Sequence, residues 1–432
     1  MIASLVFILL FSSAAFIFYK RVSQIRSAIK SGKPYHPASD AASRFKHMLR
    51  VALGQQKLFQ RPLSALLHVL VYAGFILINI EVLEICIDGL FQTHRVFSIL
   101  GQFYNFLIAF FEILALLVFI AVVVFWWRRN VLALPRFTSA ELKGWPQRDA
   151  NIILITEMVL MTLLLGMNAT DQVLQFRNVE HYTQAGSFPV SGWLTPVFET
   201  WSTPSLIFTE RLCWWLHLAG ILAFLNYLPY SKHLHIILAF PATYYANRRA
   251  RGAIEHLSMV TDMVAPQFDA SYQTVNDTQI NQRFGAKDVS DLNWKNLLDA
   301  YTCTECGRCT SVCPQNLTGK ALSPRKILMD TRDRMEDLSK HNALHGQTDD
   351  GKSLLDDYIT RSEILACNTC YACVEACPID LDPLSVIVAL RRYMVMEESM
   401  APAEWNGMFS NIENNGAPWQ FSPSDRALWT KT

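Results

Sequence analysis

Apolar residues are concentrated in five long runs in the first half of the chain, near 2–19, 63–88, 104–127, 152–170 and 204–228. A hydrocarbon core of about 30 Å needs about 20 residues of helix, so each run is long enough, or nearly so, to cross a membrane. The first run has no basic residues before it and is followed directly by Lys20 and Arg21, which favours a retained anchor over a cleaved signal peptide. The pattern predicts five membrane-spanning helices.

Beyond residue 240 the pattern changes to that of amphipathic helices. Ser323 followed by Pro324 is an N-cap with proline at the first helical position, and it opens PRKILMDTRDRMEDL. Further helices are predicted over SLLDDYITRSEILA and DPLSVIVALRRYMVM, and a polar loop over HNALHGQTDDG. We therefore predict an all-α protein with a membrane domain over 1–240, a linker over 241–290, and a helical domain with a C-terminal tail over 291–432.

Basic residues are distributed unevenly among the loops, although the net charge of the chain is only +1. Residues 20–62 contain ten Lys or Arg and a single acid, and residues 128–150 contain five Lys or Arg. The loops 89–103 and 171–203 contain one each. The positive-inside rule then predicts a bacterial inner-membrane protein with a periplasmic N-terminus and a cytoplasmic second half. The near-neutral total gives no indication of a nucleic-acid partner.

Eight of the ten cysteines lie in two similar motifs, CTECGRCTSVCP and CNTCYACVEACP. The spacing C-x2-C-x2-C-x3-C-P is that of [4Fe–4S] ferredoxins, in which the fourth cysteine of each motif binds the cluster of the other. The predicted ligands are Cys303, Cys306, Cys309 and Cys377 for the first cluster, and Cys367, Cys370, Cys373 and Cys313 for the second. Four thiolates also suit a zinc ion, but three in one short turn favour iron. Cys86 and Cys213 lie in apolar runs and are predicted to pack there.

Histidines occur in and beside the apolar runs, where ionisable residues are costly and indicate function. A neutral imidazole that binds haem iron removes part of that cost; an interhelical hydrogen bond is the alternative. His217 and His235 are 18 residues apart, which is about 27 Å of helix, so they are predicted near opposite faces of the membrane. His68 enters from the inner face and is predicted to pair with His235, or with His233 beside it, as the ligands of one haem b. C-x-x-C-H is missing from the sequence, which argues against covalent c-type haem.

The last apolar run resembles the final helix of the nitrate reductase gamma-subunit family of dihaem cytochromes b. The family pattern H-x3-G-x3-F-x4-P-[FY]-S-[KR]-x2-H is matched from His217 to His235, with Gly220 one place early. The resemblance implies that His68 and His235 hold an inner haem and that His217 is one ligand of an outer haem. The family's fourth ligand position is Ile78 here. His94 is the favoured substitute and His181 the alternative, so the sequence leaves open whether there are one or two haems.

Carboxylates inside the apolar runs suggest a second kind of chemistry. Glu112 and Glu157 are candidates for proton handling at a quinone site, menaquinone or ubiquinone, and interhelical hydrogen bonding is the alternative for both. Glu210 and Arg211 are predicted to pair or to anchor their helix at the outer face. Glu81 and Glu84 are predicted at the same outer interface.

The cysteine-containing half resembles the helical ferredoxin of heterodisulfide reductase C-type subunits and the iron–sulfur subunit of succinate dehydrogenase. The similarity to the former lies in CGRCTSVCPQNLTGKALSPRK, and the tail NNGAPWQFSPSDRALW resembles fused electron-transfer enzymes of that group. Together the resemblances imply a five-helix cytochrome b bundle followed by a helical ferredoxin with two [4Fe–4S] clusters.

Such a chain would pass electrons between quinone and a cytoplasmic redox partner. CCG repeats and flavin motifs are missing from the sequence, so we expect a separate CCG-type iron–sulfur subunit or flavoprotein to carry out the substrate chemistry. A membrane-tethered iron–sulfur redox sensor is the alternative function. The paired histidines favour the first, because a sensor needs no haem.

Overall fold

The structure is a computed structural model that describes residues 2–273 and 283–431. Its first half contains α1 (Ile2–Lys30), α2 (Ala41–Met48), α3 (Pro62–Phe91), α4 (Gln102–Asn130), α5 (Trp145–Phe176), α6 (Thr195–Phe198) and α7 (Thr203–Tyr227). Helices α1, α3, α4, α5 and α7 are long and apolar enough to cross a membrane. Each contains one of the five predicted runs, so the prediction of five spanning helices is confirmed at the level of length and composition.

The second half is also helical. Its helices are α8 (His235–Tyr244), α9 (Ser258–Val264), α10 (Trp294–Thr302), α11 (Arg308–Ser311), α12 (Pro314–Leu317), α13 (Pro324–His345), α14 (Leu354–Asp357), α15 (Arg361–Ala366), α16 (Ala372–Glu375), α17 (Pro383–Arg392) and α18 (Ala403–Asn415). The described residues contain isolated β-bridges but no strand. The all-α fold class is confirmed.

The five long helices close into a ring. Each helix packs against the next one in the order α1, α3, α4, α5 and α7, and α7 packs against α1. Apolar side chains from all five helices fill the interior, among them Phe7, Val118 and Trp214. A Cβ on Gly89 would lie 2.6 Å from the Phe7 ring and 2.9 Å from the Trp214 ring, so glycine permits α1, α3 and α7 to meet at this level.

The ferredoxin half packs directly on one end of this ring. Its core, built mainly from α10, α13 and α17, also includes Ile25 and Ile29 from the end of α1 and Ala242 from α8. Residues Ala286 and Val289, in the predicted linker, are buried in the same core. Helix α8 also crosses the predicted domain boundary at residue 240, so the two halves share one packed interface.

Two local predictions in the ferredoxin half are wrong. The predicted polar loop begins inside α13, which continues as helix to His345 before Gly346 ends it in the left-handed region at φ 68°. The predicted single helix over 353–366 is broken, because Leu355 and Asp356 have non-helical backbone angles and a new helix starts at Arg361. The predicted N-cap of α13 is confirmed, since the Ser323 side chain accepts a hydrogen bond from the Lys326 amide.

Candidate metal centres

The cysteines predicted to hold the first cluster lie around one cavity. Cys303, Cys306 and Cys309 from the first motif and Cys377 from the second line a space of about 20 Å³, together with Pro378, Leu328 and Arg308. Cys377 of the second motif thus lies beside the three cysteines of the first, as a crossed ligand pattern requires, and the assignment of ligands stays a prediction. Cys373 also lines this cavity, which puts the two groups of thiols side by side.

The other four cysteines form a second group. Cys367 lies near Cys313 and Cys370, and Cys373 lies near Cys367 and Cys313. Cys313 and Cys373 are buried, whereas Cys370 is exposed. The second group thus reaches the protein surface at Cys370.

The two motifs share an unusual backbone conformation. The residues just before and just after the second cysteine have positive φ in both: Glu305 (55°) and Gly307 (72°) in the first motif, Thr369 (56°) and Tyr371 (68°) in the second. Such angles are uncommon for residues with a side chain. The left-handed residues turn the chain so that three cysteines of one short segment face a common centre.

Amides and burial define the environment of the sulfur atoms. The Thr369 amide donates to Cys367 Sγ at 3.4 Å and the Leu381 amide donates to Cys377 Sγ at 3.3 Å. Burial raises the pKa of Cys303 and of Cys373 to about 12. Because iron binds the thiolate, assembly of a cluster on these residues releases protons.

His68 and His235 face each other at the end of the ring next to the ferredoxin half. Their ring centroids are 6.4 Å apart. His68 Nδ1 donates to Gln55 Oε1 at 3.0 Å, and His235 Nδ1 donates to the Lys232 carbonyl at 3.1 Å. Within the described part of the chain neither ring makes a second hydrogen bond, so Nε2 of each is available to a metal. Burial lowers the pKa of His235, which keeps it in the neutral form that binds metals.

The segment between His217 and His235 differs from the expected continuous helix. Helix α7 ends at Tyr227, short 3-10 turns follow over Leu228–Tyr230 and Lys232–Leu234, and α8 begins at His235. The expectation that one continuous helix joins His217 to His235 is therefore wrong. His235 nevertheless lies beside His68. His233 lies beside this pair, with its ring 5.6 Å from that of His235 and its Nε2 3.8 Å from Glu157 Oε1.

His217 is buried inside the ring of helices, and its Nδ1 donates to the Leu160 carbonyl at 3.0 Å. His94 follows the end of α3. Its Nε2 is 3.0 Å from Asp171 Oδ1, and its Nδ1 is 3.4 Å from Thr183 Oγ1. Both ring nitrogens of His94 thus have hydrogen-bond partners. Its role as a haem ligand stays a prediction, as does that of His181, whose ring is 5.6 Å from that of His94.

The outer end of the ring contains a polar cavity of about 170 Å³. Its lining includes Glu81, Glu84, Asp88, His94, Arg95, Asp171, His181, Glu210, Arg211 and Trp214. Glu81 and Glu84 are buried, 4% exposed each, and Glu84 accepts from the Phe97 amide and the Tyr104 hydroxyl, each at 2.8 Å. Their position at the outer interface of the membrane stays a prediction. Glu210 pairs with Arg211, which confirms that predicted pair.

The two candidate quinone-site carboxylates have different surroundings. Glu112 is 1% exposed and accepts hydrogen bonds from the amides of Val190 and Ser191, at 2.9 and 3.1 Å, and from Asn168 Nδ2 at 3.1 Å. These contacts fit the alternative prediction for Glu112, a hydrogen-bonding role in place of proton handling. Glu157 instead lies on α5 next to His233, close to the paired histidines.

Several side chains at these centres were not predicted from the sequence. Gln55, which orients His68, is 7% exposed and has a positive φ of 50°, and nothing in the sequence around it indicates that role. Glu305, in the first cysteine motif, pairs with Lys232. Arg308 of the same motif lies close enough to His68 to interact electrostatically. Of these residues, only Lys232 was indicated by the sequence, because it occupies the [KR] position of the family pattern that is matched from His217 to His235.

Comparison with known proteins supports the iron–sulfur half directly. A 4Fe–4S dicluster domain family matches residues 295–378, a second dicluster family matches residues 266–318, and a 4Fe–4S binding domain matches residues 365–392. These matches contain both cysteine motifs. No solved structure matches the chain significantly.

Three relatives illustrate the similarity. The probable iron-sulfur-binding oxidoreductase FadF of Bacillus subtilis is 28% identical over 99% of this chain and 60% of its own length. The EtfAB:quinone oxidoreductase of Syntrophomonas wolfei is 24% identical over 91% of this chain and 55% of its own length. The C-type subunit of the ferredoxin/F(420)H(2)-dependent CoB-CoM heterodisulfide reductase of Methanosarcina acetivorans is 35% identical over 24% of this chain and 52% of its own length.

The homologues are iron–sulfur oxidoreductases and heterodisulfide reductase subunits. They support an oxidoreductase role and [4Fe–4S] clusters for this chain, and they confirm the resemblance to heterodisulfide reductase C-type subunits. The chain spans 60% and 55% of the length of the two relatives that match nearly all of it.

Proposed function

We propose that the chain is the membrane-anchored electron-transfer subunit of a quinone-linked oxidoreductase, and that it connects the quinone pool with a cytoplasmic redox partner. The observation that carries this proposal is the pair His68 and His235, which face each other next to Lys232, the residue that pairs with Glu305 of the first cysteine motif. A histidine pair in that place would put a membrane redox centre close to a ferredoxin. A redox sensor would have no use for it.

The paired histidines suit a b-type haem of the nitrate reductase gamma-subunit kind. A metal–nitrogen bond of about 2 Å on each side of one iron puts two imidazole centroids about 6 Å apart, close to the 6.4 Å between His68 and His235. Both rings have Nδ1 bound to an oxygen atom and Nε2 available, the arrangement usual for metal-binding histidine. The group bound there would supply one-electron transfer. The resemblance also suggests a second haem at His217, but His94 does not fit as its other ligand, because both of its ring nitrogens have hydrogen-bond partners.

The two groups of cysteines suit two [4Fe–4S] clusters with crossed ligands. Each thiolate of a cubane binds a different iron, so the sulfur atoms surround a space rather than converge on one point. Cys303, Cys306, Cys309 and Cys377 surround such a cavity. Three thiolates in one C-x2-C-x2-C turn, repeated in both motifs, favour the cubane over a zinc site.

Quinone is the proposed substrate on the membrane side. The name of the Syntrophomonas relative joins EtfAB with quinone, and the chain shares most of its length with that protein. Oxidation of a quinol releases two electrons and two protons, and the reverse reaction takes them up. Glu157, beside His233 near the paired histidines, is the carboxylate best placed to exchange a proton there, because Glu112 is occupied by amide donors.

The proposed partner on the other side is a soluble CCG-type iron–sulfur subunit or a flavoprotein. Cys370 is the exposed member of the second group of cysteines, so electrons would enter or leave the chain there. The relatives that match nearly all of this chain have additional length of their own. We propose that the substrate chemistry is carried out by such a partner.

A reduced-minus-oxidised visible spectrum of the purified full chain, with iron, zinc and haem quantified, tests this function. The proposal predicts a b-type haem spectrum and about eight non-haem irons per chain, four for each cubane. Cys306→Ser and Cys370→Ser should each remove the paramagnetic resonance signal of a different cluster, whereas Cys86→Ser should remove neither. Zinc in place of iron, or clusters without any haem, would contradict the proposal.

A further inference from the structure

Lys232 contacts both proposed redox centres. Its carbonyl accepts the hydrogen bond from His235 Nδ1 at 3.1 Å, and its amide donates to Asp149 Oδ2 at 3.1 Å. Its ammonium group donates to the Pro146 carbonyl at 2.7 Å and to a carboxylate oxygen of Glu305. The side chain is 9% exposed. A buried lysine with all these partners fixes the segment that leads into His235.

Glu305 provides the contact on the ferredoxin side. It lies between Cys303 and Cys306 in the left-handed conformation, at φ 55°, and its side chain is 3% exposed. One carboxylate oxygen accepts from Lys232, and the other accepts from Arg332 Nη1 at 2.8 Å. Glu305 is also only two residues from Cys303 along the chain. Its carboxylate therefore holds the loop of the first cysteine motif against Lys232 and Arg332.

We propose that Lys232 and Glu305 are positioning residues shared by the haem at His68 and His235 and the cluster at Cys303, and that their charges set the potentials of these two centres. This inference rests on the proposed function. The path from one centre to the other is short: the His235 imidazole donates to the Lys232 carbonyl, the Lys232 ammonium pairs with Glu305, and Glu305 is two residues from Cys303 along the chain. The second cluster is not in this path.

Charge explains why an ion pair, rather than an apolar contact, would connect two redox centres. A positive charge near a redox centre stabilises its reduced form, and a negative charge stabilises its oxidised form, most strongly where both are shielded from water. Hydrogen bonds to the cysteine sulfur atoms tune the potential of a cluster in the same way. Lys232 should therefore raise both potentials and Glu305 should lower them, more strongly at the adjacent cluster.

Redox titration of the full chain tests the inference with Lys232→Met, Glu305→Gln and the double variant. Lys232→Met should lower the midpoint potentials of the haem and of the first cluster together. Glu305→Gln should raise that of the first cluster. We expect Glu305→Gln to alter the electron distribution between the two centres about tenfold, which is about 59 mV for a one-electron couple, whereas Lys232→Met should leave that distribution largely unchanged. The double variant should depart from the sum of the two single changes, and Lys232→Arg should restore the wild-type potentials.

Arg21→Met is the matched control, because the Arg21–Glu336 pair, 2.7 Å apart, also joins the two halves but lies outside this path. It should leave all three potentials unchanged, and the second cluster should not respond to any variant. Unchanged potentials in Lys232→Met and Glu305→Gln, or shifts of the same sign in both, would overturn the inference. Absence of haem or clusters from the wild type would instead overturn the proposed function.

Discussion

Three imidazoles of the membrane half bind an oxygen atom through Nδ1. His68 binds the Gln55 side chain, His217 the Leu160 carbonyl and His235 the Lys232 carbonyl. This contact fixes the tautomer and the orientation of the ring, and it leaves Nε2 as the donor to a metal. Since His68 and His235 face each other, they should serve one iron together.

Alanine variants test that assignment. His68→Ala and His235→Ala should each abolish the same haem, because each removes one ligand of one iron. His217→Ala should leave that haem in place and remove a second one. His345→Ala, on the exposed end of α13, should change neither. Low-temperature visible spectra of the four variants make the comparison, and loss of different haems in His68→Ala and His235→Ala would show that the pairing is wrong.

The residues of the site were predictable to different degrees. The spacing of the cysteines contained enough information to group them, because ligand spacing follows directly from cluster chemistry. The left-handed turns were visible only at Gly307, since glycine favours positive φ, while Glu305, Thr369 and Tyr371 adopt the same conformation without a sequence signal. Gln55 was also missed. Contacts between residues far apart in the chain depend on tertiary packing, which no local pattern encodes.

At the scale of elements, the lengths of the helices also depend on tertiary packing that the local sequence does not encode. Hydropathy predicts where a membrane helix leaves the hydrocarbon core, but α1 continues to Lys30, well beyond the apolar run. Its last turns bury Ile25 and Ile29 in the ferredoxin core, and this packing extends the helix. The break before α15 has a local cause instead: Thr360 and Glu363 form a capping box that starts a new helix.

This capping box is a test at the level of the element, because α15 leads directly into Cys367. Thr360→Ala removes the side chain that accepts from the Glu363 amide, and loss of such a cap costs about 1 kcal/mol. We expect the second cluster to be lost at a lower guanidinium concentration than in the wild type, as measured by paramagnetic resonance. Thr360→Ser keeps the hydroxyl and should behave like the wild type. Equal sensitivity of Thr360→Ala would refute a capping role.

At the scale of the whole molecule, the ferredoxin half sits on the basic loops. Asp380, just after the second cysteine motif, binds His47 Nε2 at 2.9 Å and also the Lys57 ammonium. Arg325, which is 1% exposed, donates to the Arg136 carbonyl at 2.7 Å and to Glu141 at 2.6 Å. The two basic loops and the ferredoxin are thus on one side of the ring of helices, as the distribution of charge predicts.

The orientation of the chain in the membrane can be tested with reporter proteins fused to the full chain. Green fluorescent protein at the C-terminus should fluoresce, because that end is predicted to be cytoplasmic. Alkaline phosphatase inserted in the loop 171–203 should be active, and the same insertion in the loop 128–150 should be inactive. An active enzyme in the loop 128–150 would reverse the predicted orientation.

The central claim is that electrons travel between quinone and the iron–sulfur clusters by way of the paired histidines. Its most direct test is rapid mixing of the fully reduced chain, freed of excess reductant, with a quinone analogue, while the haem and the clusters are followed by visible and paramagnetic resonance spectra. The account predicts that haem and clusters are both reoxidised in the wild type. In His68→Ala the clusters should remain intact but stay reduced. Equally fast reoxidation of the clusters in His68→Ala, or no reoxidation in the wild type, would contradict it.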